Sequence, residues 1–449
     1  MNVLILGGGQ VGFGVAHYLK NQGFNVTVIE QSPELAFKIG SSSDVTVVQG
    51  NALDVNVIRN ANAEDSSHLI ATMSCDEQNM TACRLLGSMF NIKTKIARIR
   101  SDFFLKDSAF ELFLKDCFGI DALIHPELEV ATYTSHIVSL KGAFDVVRLN
   151  LVTIICLKCR ENTEILNTPL THFQSVTNLT LFILTITRNG AMFFPSSQDI
   201  LLPGDEIYIA IESSQVDAAM TLFGYPQEKQ NLLVVGGGIT GGFIVKNMDI
   251  GRNISITWLE KSKNRAEAIA QNYPDATVIL GDALSGDLLR EIGSDANTAI
   301  VATDHDETNV LASLFLKKFG TERTLSLVKN RNYDPLLSAN GCIVVDPGAI
   351  TIGAILKKSC LMKISSWALL RDSSVCVAEV EITKSCSVLN GTTESVNIDS
   401  RIIFVFIIRN DRIMLVKKNV SLKLGDRVIL LTSIENMPFL KKTFPNFFR

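Results

Sequence analysis

One motif occurs twice in this chain of 449 residues: a short apolar run, three glycines, two further residues and a fourth glycine. Asn2–Leu6 precede Gly7–Gly12, and Asn231–Val235 precede Gly236–Gly241, 229 residues later. An apolar run that ends in such a loop is typical of a strand that turns directly into a helix. The repeat therefore predicts two copies of one α/β unit and excludes a fold built from a single domain.

Each copy opens with alternating β-rich runs and amphipathic segments, which predicts a parallel sheet with right-handed crossovers. Each copy closes with β-branched runs and turns such as Arg188-Asn189-Gly190 and Asn410-Asp411-Arg412, which predict antiparallel hairpins. The predicted fold class is α/β, with two Rossmann-like parallel-sheet domains, each followed by a small α+β C-terminal domain. In the first copy, strands are expected near residues 2–6, 25–29, 45–48, 68–71, 95–99 and 121–124.

The predicted Rossmann-like domains are residues 1–140 and 231–360, and the small domains are residues 141–226 and 361–449, with Gln227–Gln230 as the linker. A hydrophobic fraction of 47% suits parallel sheets that are covered on both faces. The longest apolar runs, such as Ile402–Ile408, are far shorter than the ~18–20 residues that a membrane-spanning helix needs.

Other short motifs repeat at a similar spacing. Pro203-Gly204-Asp205 matches Leu424-Gly425-Asp426, Thr72 is aligned with Thr303, and Arg98 is aligned with Lys329. The first copy carries about ten extra residues near Phe103–Asp116, which predicts a longer helix or loop there.

Both glycine loops are predicted to bind a dinucleotide, because each lies between a strand and a helix and is followed by an acid that ends the second strand. In the first copy, Gly7 makes the tight turn, Gly9 admits the pyrophosphate and Gly12 lets the helix approach the sheet. The candidate residues in the loops are Gly7, Gly8, Gly9, Gln10, Val11 and Gly12, and Gly236, Gly237, Gly238, Ile239, Thr240 and Gly241. The alternative is that both loops are merely tight strand–helix turns.

The acids Glu30 and Glu260 can accept hydrogen bonds from ribose hydroxyls, and their charge repels a 2′-phosphate, so NAD is favoured over NADP. Lys261 could soften that repulsion in the second copy. Further candidates follow strands three to five. They are Asn51 and Ala52, Thr72, Met73 and Ser74, and Arg98 in the first copy, with Asp282, Ala283, Thr303 and Lys329 in the second. The alternatives are that Asn51 and Asp282 cap helices and that Arg98 is a solvated strand-end residue.

A net charge of −4 gives no reason to expect nucleic acid as a partner. No set of residues predicts a metal site, a nucleophile or a duplicated acid–base pair, so no catalytic residue is expected. An NAD-dependent oxidoreductase with duplicated Rossmann domains is the alternative function.

The combined pattern resembles the TrkA family, the cytosolic regulatory subunits of bacterial Trk potassium-uptake systems, over essentially the whole chain. The resemblance implies two tandem units known as RCK or KTN domains, which bind NAD(H), with ATP or ADP as a further candidate at the second site. It also implies a homo-oligomeric ring that gates an integral-membrane potassium translocator. Such a protein is not an enzyme. It is cytoplasmic and peripheral on the inner face of the bacterial membrane, without inserting into the bilayer itself.

Overall fold

A computed structural model describes residues 1–42, 44–101, 108–161, 163, 165–173, 177–226, 229–248, 254–359, 366–370, 375–389, 391, 402–416 and 420–444. The chain divides into two compact units, one made of Met1–Val130 with Pro347–Met362 and the other of Ala131–Asp346 with Lys363–Arg449.

The first Rossmann-like domain is a six-stranded parallel sheet in the order β3-β2-β1-β4-β5-β6. Its elements are β1 (Asn2–Leu6), α1 (Gln10–Asn21), β2 (Asn25–Glu30), α2 (Pro33–Ser42), β3 (Thr46–Gln49), α3 (Val55–Asn60), β4 (His68–Ala71), α4 (Asp76–Met89), β5 (Thr94–Arg98), α5 (Ser108–Phe118) and β6 (Ala122–Ile124). The strand order reverses between β1 and β4, and in such sheets ligands bind outside the carboxyl ends of the strands at that point. The predicted strands and the parallel sheet are confirmed.

Helix α6 (Pro126–Ser139) leads into the first small domain, which is built on a five-stranded sheet in the order β10-β9-β11-β8-β7. Its elements are β7 (Asp145–Leu149), β8 (Val152–Lys158), β9 (Leu181–Arg188), β10 (Ala191–Phe193), β11 (Glu206–Glu212) and α7 (Val216–Leu222). All of its strand pairs are antiparallel. The predicted hairpin joins β9 to β10 through Asn189 and Gly190 at φ values of 52° and 78°, as a two-residue type I′ turn requires.

The second Rossmann-like domain repeats the first, with strands in the order β14-β13-β12-β15-β16-β17. Its elements are β12 (Gln230–Val235), α8 (Ile239–Asn247), β13 (Ile254–Glu260), α9 (Lys263–Asn272), β14 (Thr277–Leu280), α10 (Gly286–Ser294), β15 (Thr298–Val301), α11 (Asp306–Lys318), β16 (Arg323–Leu327), α12 (Asp334–Ala339) and β17 (Ile343–Val345). The insertion predicted in the first copy corresponds to α5, with eleven residues against six in α12. Residues 103–107 of the predicted insertion lie outside the described residues.

After α13 (Pro347–Lys358), the second small domain forms an antiparallel sheet in the order β18-β19-β22-β20-β21. Its elements are β18 (Ser366–Leu369), β19 (Val375–Glu381), β20 (Ile402–Arg409), β21 (Arg412–Leu415), β22 (Arg427–Ser433) and α14 (Met437–Thr443). Its buried Val377 and Phe406 belong to one apolar core with Ile154 and Tyr208 of the first small domain. The two small domains therefore pack on each other.

Helix α13 packs against α1 of the first Rossmann-like domain, although it follows the second domain in sequence. Gly14 makes the close approach possible, because a Cβ there would overlap Ile352. The Lys358 ammonium lies 2.8 Å from the Glu129 carboxylate and 3.1 Å from the carbonyl oxygen of Leu123. No sequence pattern predicted that this helix would pack on the first copy. The predicted boundaries at 140, 226, 230 and 360 stay predictions, and Gln227 and Glu228 of the predicted linker lie outside the described residues.

Among the described residues, no helix has both the length and the hydropathy that crossing a membrane requires.

Candidate nucleotide-binding sites

The glycine loop of the first copy lies at the switch point between β1 and β4. Gly7 adopts a φ of +93°, and a Cβ at this position would lie 3.1 Å from the backbone nitrogen of Met73. A Cβ on Gly12 would overlap the carbonyl oxygen of Gly7, so this glycine lets α1 begin directly against the loop. Gly9, the N-cap of α1, has open space around it and provides no side-chain cap. The start of α1 can therefore receive an anion at Gly9, where the helix dipole favours negative charge.

The acid at the end of strand two holds this loop. Glu30 Oε2 accepts a 2.5 Å hydrogen bond from the backbone N–H of Gly8, and Oε1 accepts one of 2.8 Å from Ser32. Glu260 makes the same two bonds to Gly237 and Ser262 in the second copy. Each carboxylate oxygen retains acceptor capacity for a ribose hydroxyl. The acid thus fixes the shape of the loop as well as offering a ribose contact.

The carbonyl oxygen of the first loop glycine (Gly7 or Gly236) accepts a hydrogen bond from a different donor in each copy. In the first, the hydroxyl of Thr72 lies 3.1 Å from both Gly7 O and Leu6 O, and it is the side-chain donor beside the glycine carbonyl. In the second, the indole N–H of Trp258 donates to Gly236 O at 3.0 Å. A donor is needed in both, because an unpaired buried carbonyl costs about 1–3 kcal/mol.

The sheet register corrects the predicted alignment of Thr72 with Thr303. Leu6 lies opposite Ala71, and Val235 lies opposite Val301. The counterpart of Thr72 is therefore Ala302, which has no hydroxyl, and Thr303 is the counterpart of Met73. The alignment was wrong by one residue because each copy has an Ala-Thr pair near the end of this strand, but the two pairs differ by one position in the sheet register.

A buried asparagine joins the loops after strands four and five in each copy. The amide of Asn79 accepts from Met73 N at 2.9 Å and donates to the carbonyl oxygens of Met73 and Arg98 at 3.0 and 2.8 Å. Asn309 bonds in the same way to Thr303 and to the carbonyl oxygen of Leu327. These amides lock the two loops that border each crevice.

The predicted pairing of Arg98 with Lys329 is wrong as well. The amide bonds just described make Leu327 the counterpart of Arg98. Asp76 accepts hydrogen bonds from Arg100 N at 3.0 Å, and Asp306 accepts one from Lys329 N at 3.0 Å, so Lys329 corresponds to Arg100. The Lys329 side chain does not line the second crevice as the described residues form it.

Arg98 is half-buried beside the first loop. Its Nη2 donates to the carbonyl oxygen of Met73 at 3.2 Å, while its buried Nε has no hydrogen-bond acceptor among the described residues. Burial, followed by the charge of Arg100, lowers the pKa of its guanidinium. The second copy has no guanidinium at this strand end, because Leu327 takes its place.

Asn51 and Asp282 each accept a 2.9 Å hydrogen bond from the backbone N–H two residues further on, at Leu53 and Leu284. Neither caps a helix, since Asp54 is the N-cap of α3, with a 2.8 Å bond to Asn56 N, and Ser285 is the N-cap of α10. A bond from Lys261 and one from Leu284 N lower the pKa of the Asp282 carboxyl. The adjacent alanines Ala52 and Ala283 are buried.

The second crevice has a volume of about 370 Å³. Of the predicted residues, it is lined by Gly236, Gly237, Gly238, Glu260, Asp282, Ala283 and Thr303. Ile239, Thr240 and Gly241 begin or lie within α8 and are not part of that lining. In the first copy, Gln10, Val11 and Gly12 likewise form the first turn of α1, and Ser74 is exposed just after the strand-four loop.

Sequence reasoning missed three ionisable residues of the lining: Arg265, Asp304 and His305. The guanidinium of Arg265 lies 3.4 Å from the Asp304 carboxylate, across the mouth of the crevice. Their counterparts in the first copy are Leu35, Ser74 and Cys75, so the first crevice has no equivalent of the Arg265–Asp304 ion pair. The sequence did contain a signal for Arg265. It is a basic residue in the first turn of the helix after β13, five positions after the ribose acid Glu260.

Two glycine loops at two switch points, each held by its own carboxylate, define a tandem pair of Rossmann-type nucleotide-binding domains. The TrkA-N domain model matches residues 3–126 and 232–346, one stretch in each copy. The chain belongs to the TrkA family.

Relatives match over the full length. The Trk system potassium uptake protein TrkA of Azorhizobium caulinodans is 30% identical, with 99% of this chain and 98% of the relative covered. The protein of the same name from Haemophilus influenzae is 28% identical at the same coverages. Among solved structures, the GsuK channel bound to NAD has 18% identity and a TM-score of 0.61, with 99% of this chain and 79% of that chain covered. That similarity shows a common fold.

Proposed function

We propose that this chain is the nucleotide-binding regulatory subunit of a Trk-type potassium uptake system. The observation that carries the proposal is the pair of carboxylate-held glycine loops at the switch points of both sheets. Relatives of nearly the same length are named Trk system potassium uptake proteins, and a channel with the same fold was solved with NAD.

NAD(H) is the ligand proposed for the first crevice. Its pyrophosphate lies at Gly9 and the start of α1, and its adenosine ribose meets the free acceptor positions of Glu30. The negative charge of Glu30 opposes a 2′-phosphate, which disfavours NADP(H). Arg98 and the strand-four residues Thr72 and Met73 shape the neighbouring wall through the bonds described above.

In the second crevice, Glu260 offers the same ribose contact, and the charged side chains of Lys261 and Arg265 stand beside it. Lys261 is paired with Asp282 and Arg265 with Asp304, and both cations are exposed enough to turn from their carboxylates toward phosphate. ATP or ADP is therefore proposed here beside NAD(H). The charge of Asp282, where the first copy has Asn51, distinguishes the two sites further.

The regulatory step follows from differential binding. A ligand shifts an equilibrium between two arrangements only by the ratio of its affinities for them. A 100-fold ratio corresponds to about 2.7 kcal/mol per site, which several sites in a homo-oligomeric ring would multiply. The partner proposed is the integral-membrane potassium translocator. This places the chain at the cytoplasmic face of the membrane through protein contacts, without nucleic acid as a partner.

We expect no catalytic turnover. An oxidoreductase needs a proton donor beside the nicotinamide, and in the second crevice His305 is the one imidazole among the described lining residues. Its counterpart is Cys75, so the copies do not share an acid–base group. Protein incubated with NADH and a panel of carbonyl substrates should give no protein-dependent oxidation. Multiple turnovers that disappear in His305→Gln would support the oxidoreductase instead.

Calorimetry on the full chain tests the binding site. Glu30→Gln should weaken NADH binding by about 1–3 kcal/mol, the value of hydrogen bonds to a charged group. The matched control is Glu64→Gln, which removes the same charge from an exposed side chain of the same domain. Equal affinities in the two variants would remove Glu30 from the site.

Sedimentation with liposomes tests the partner. The protein should stay in the supernatant with anionic vesicles alone and should pellet with vesicles that contain the cognate potassium translocator. Pelleting with bare vesicles, or failure to pellet with the translocator in the presence and absence of NADH and ATP, would contradict the proposed location.

A further inference from the structure

A second cavity, with a volume of about 600 Å³, lies within the larger compact unit. Its walls come from the segment after α6, from the edge of the first small domain and from the starts of β15 and β16. The lining residues are Asn297 and Thr298 at the start of β15, and Glu322 and Arg323 at the start of β16. These are the amino ends of strands, whereas the nucleotide crevice lies at the carboxyl ends. The cavity is therefore on the opposite edge of the same sheet.

The cavity is rich in positive charge. Its lining holds four basic side chains (Lys141, Lys158, Arg160 and Arg323) against the two acidic side chains of Glu161 and Glu322. The chain as a whole carries a net charge of −4, so the positive charge of this cavity is opposite in sign to the net charge of the chain. Lys158 is exposed at the end of β8, and it has no ion-pair partner among the described residues. Its ammonium is free to meet a ligand.

Arg323 gives the cavity a buried cation. Its Nη1 donates to the carbonyl oxygens of Leu140, Ala143 and Ile137 at 2.6, 3.0 and 3.2 Å. Its Nη2 donates to Val138 O and its Nε to Thr298 Oγ1, both at 3.2 Å. The side chain is almost entirely buried, and none of these acceptors carries a charge. Burial lowers its pKa to about 10, so it remains cationic at neutral pH. The neutral acceptors engage most of its N–H groups, and the nearby Glu322 carboxylate offsets part of its charge, so Arg323 adds positive potential to the cavity wall.

Arg160 forms another part of the cavity wall. Its guanidinium lies 4.2 Å from the centre of the Tyr225 ring and is paired with Glu322. The ring is held in turn by a 2.8 Å bond from Tyr225 Oη to the carbonyl oxygen of Lys158. These contacts fix the orientation of the wall on which Lys158 stands.

The fold itself does not require this charge. In the second small domain, the strand register places Glu381 at the position of Lys158, since Lys158 lies opposite Glu206 and Glu381 lies opposite Arg427. Thr383 then stands at the position of Arg160. Lys158 and Arg160 therefore have no basic counterparts in the second small domain.

We propose that this cavity binds a small molecule carrying two or more phosphate charges. A volume of about 600 Å³ is typical of small-molecule sites and exceeds what one phosphate fills. Such a ligand would contact the first small domain through Lys158 and would lie against the wall that Arg323 of the second Rossmann-like domain helps to form. It would thus link the two domains independently of the nucleotide crevices.

The test uses the full chain with both glycine loops blocked by Gly9→Asp and Gly238→Asp, and pyrophosphate as the probe. Calorimetry should detect pyrophosphate binding in this double variant, with weaker binding of orthophosphate. Adding Lys158→Gln should weaken pyrophosphate binding about tenfold, as expected for one lost charge-assisted contact. Lys384→Gln, which removes an equal charge from an exposed side chain of the second small domain, should leave the affinity unchanged.

Absence of pyrophosphate binding in the double variant would overturn the proposal, as would equal affinity in Lys158→Gln and Lys384→Gln. The outcome does not depend on the potassium system, because both nucleotide crevices are blocked. Thermal unfolding of each variant confirms that Lys158→Gln acts on binding and not on folding.

Discussion

Trp258 and Gly236 are joined by a 3.0 Å hydrogen bond from the indole N–H to the glycine carbonyl oxygen, which replaces the bond from Thr72 to Gly7 in the first copy. The tryptophan lies on β13, whereas the threonine follows β4, so two different strands supply the donor. The second copy therefore has Ala302 where the first has the hydroxyl of Thr72, and its donor is an indole on another strand.

This substitution of donors can be tested in the second copy. Trp258→Phe should keep most of the buried ring volume but leave Gly236 O unpaired, at a cost of about 1–3 kcal/mol. Hydrogen exchange should then accelerate in residues 236–241. Adding Ala302→Thr should slow that exchange again, because it restores the hydroxyl found in the first copy. If exchange were unaffected by Trp258→Phe, the indole bond would not hold the loop.

Gly9 and Gly12 should respond oppositely to substitution. Gly9→Asp should fold normally, because a Cβ there meets nothing within 4 Å and the φ of −62° suits any residue. Its carboxylate would occupy the phosphate position and should abolish NADH binding to the first crevice. Gly12→Ala should instead destabilise the domain by about 1–3 kcal/mol through overpacking. Calorimetry and thermal unfolding of both variants separate the two effects. A folded Gly9→Asp protein that binds NADH normally would place the phosphates elsewhere.

The buried amide of Asn309 should stabilise the second Rossmann-like domain, although Asn309 is not among the described residues that line the crevice. Asn309→Leu leaves Thr303 N and Leu327 O without their partner, which should cost about 1–3 kcal/mol for each unsatisfied group. Chemical unfolding of the second Rossmann-like domain measures this loss. Asn272→Leu, on the exposed face of α9, is the control and should change stability little. Similar losses in the two variants would refute the role assigned to the amide.

The repeated Gly-Asp motif has a structural purpose, and it predicts acid sensitivity. Asp205 accepts two bonds of 2.8 and 2.7 Å from Arg188, and Asp426 accepts two of 2.7 Å from Arg409. Burial raises the pKa of Asp205, but the bonds from Arg188 and Leu202 N outweigh it and hold the pKa below its ordinary value. The balance is the same at Asp426 with Arg409 and Lys423 N.

A lowered carboxyl pKa in the folded state contributes stability above the unfolded pKa of ~3.9, and that stability is lost as the pH falls through the folded value. The small domains should therefore lose stability progressively below about pH 4. Asp205→Asn should reduce stability at pH 7 and flatten the acid limb of its pH dependence. An unchanged acid limb in this variant would show that the pair does not titrate with unfolding.

Much of the fold could be predicted because its signals are local. The run Asn2–Leu6 before Gly7, and the turn at Asn189 and Gly190, specify their elements within a few residues. The exchange of α13 onto α1 depends on a contact between Gly14 and Ile352, which are 338 positions apart in sequence, and no local pattern encodes it.

The candidate sites divide in the same way. The loop glycines and both ribose acids could be predicted from the strand–turn–helix pattern. The hydrogen bonds that Glu30 accepts from Gly8 and Ser32 are seen only in the structure. The pairing of Arg98 with Lys329 failed because residue type was matched without the sheet register. Trp258 was missed because its side chain approaches from a neighbouring strand, where it resembles an ordinary core residue.

The most direct test is potassium flux through the cognate translocator, reconstituted in proteoliposomes with the full chain and measured with and without NADH. Control of the translocator by nucleotide predicts that NADH changes the flux with the wild-type chain and that Gly9→Asp removes this response while the complex still assembles. Flux that is independent of NADH with the wild-type chain, or an undiminished response in the Gly9→Asp, Gly238→Asp double variant, would contradict regulation through these crevices.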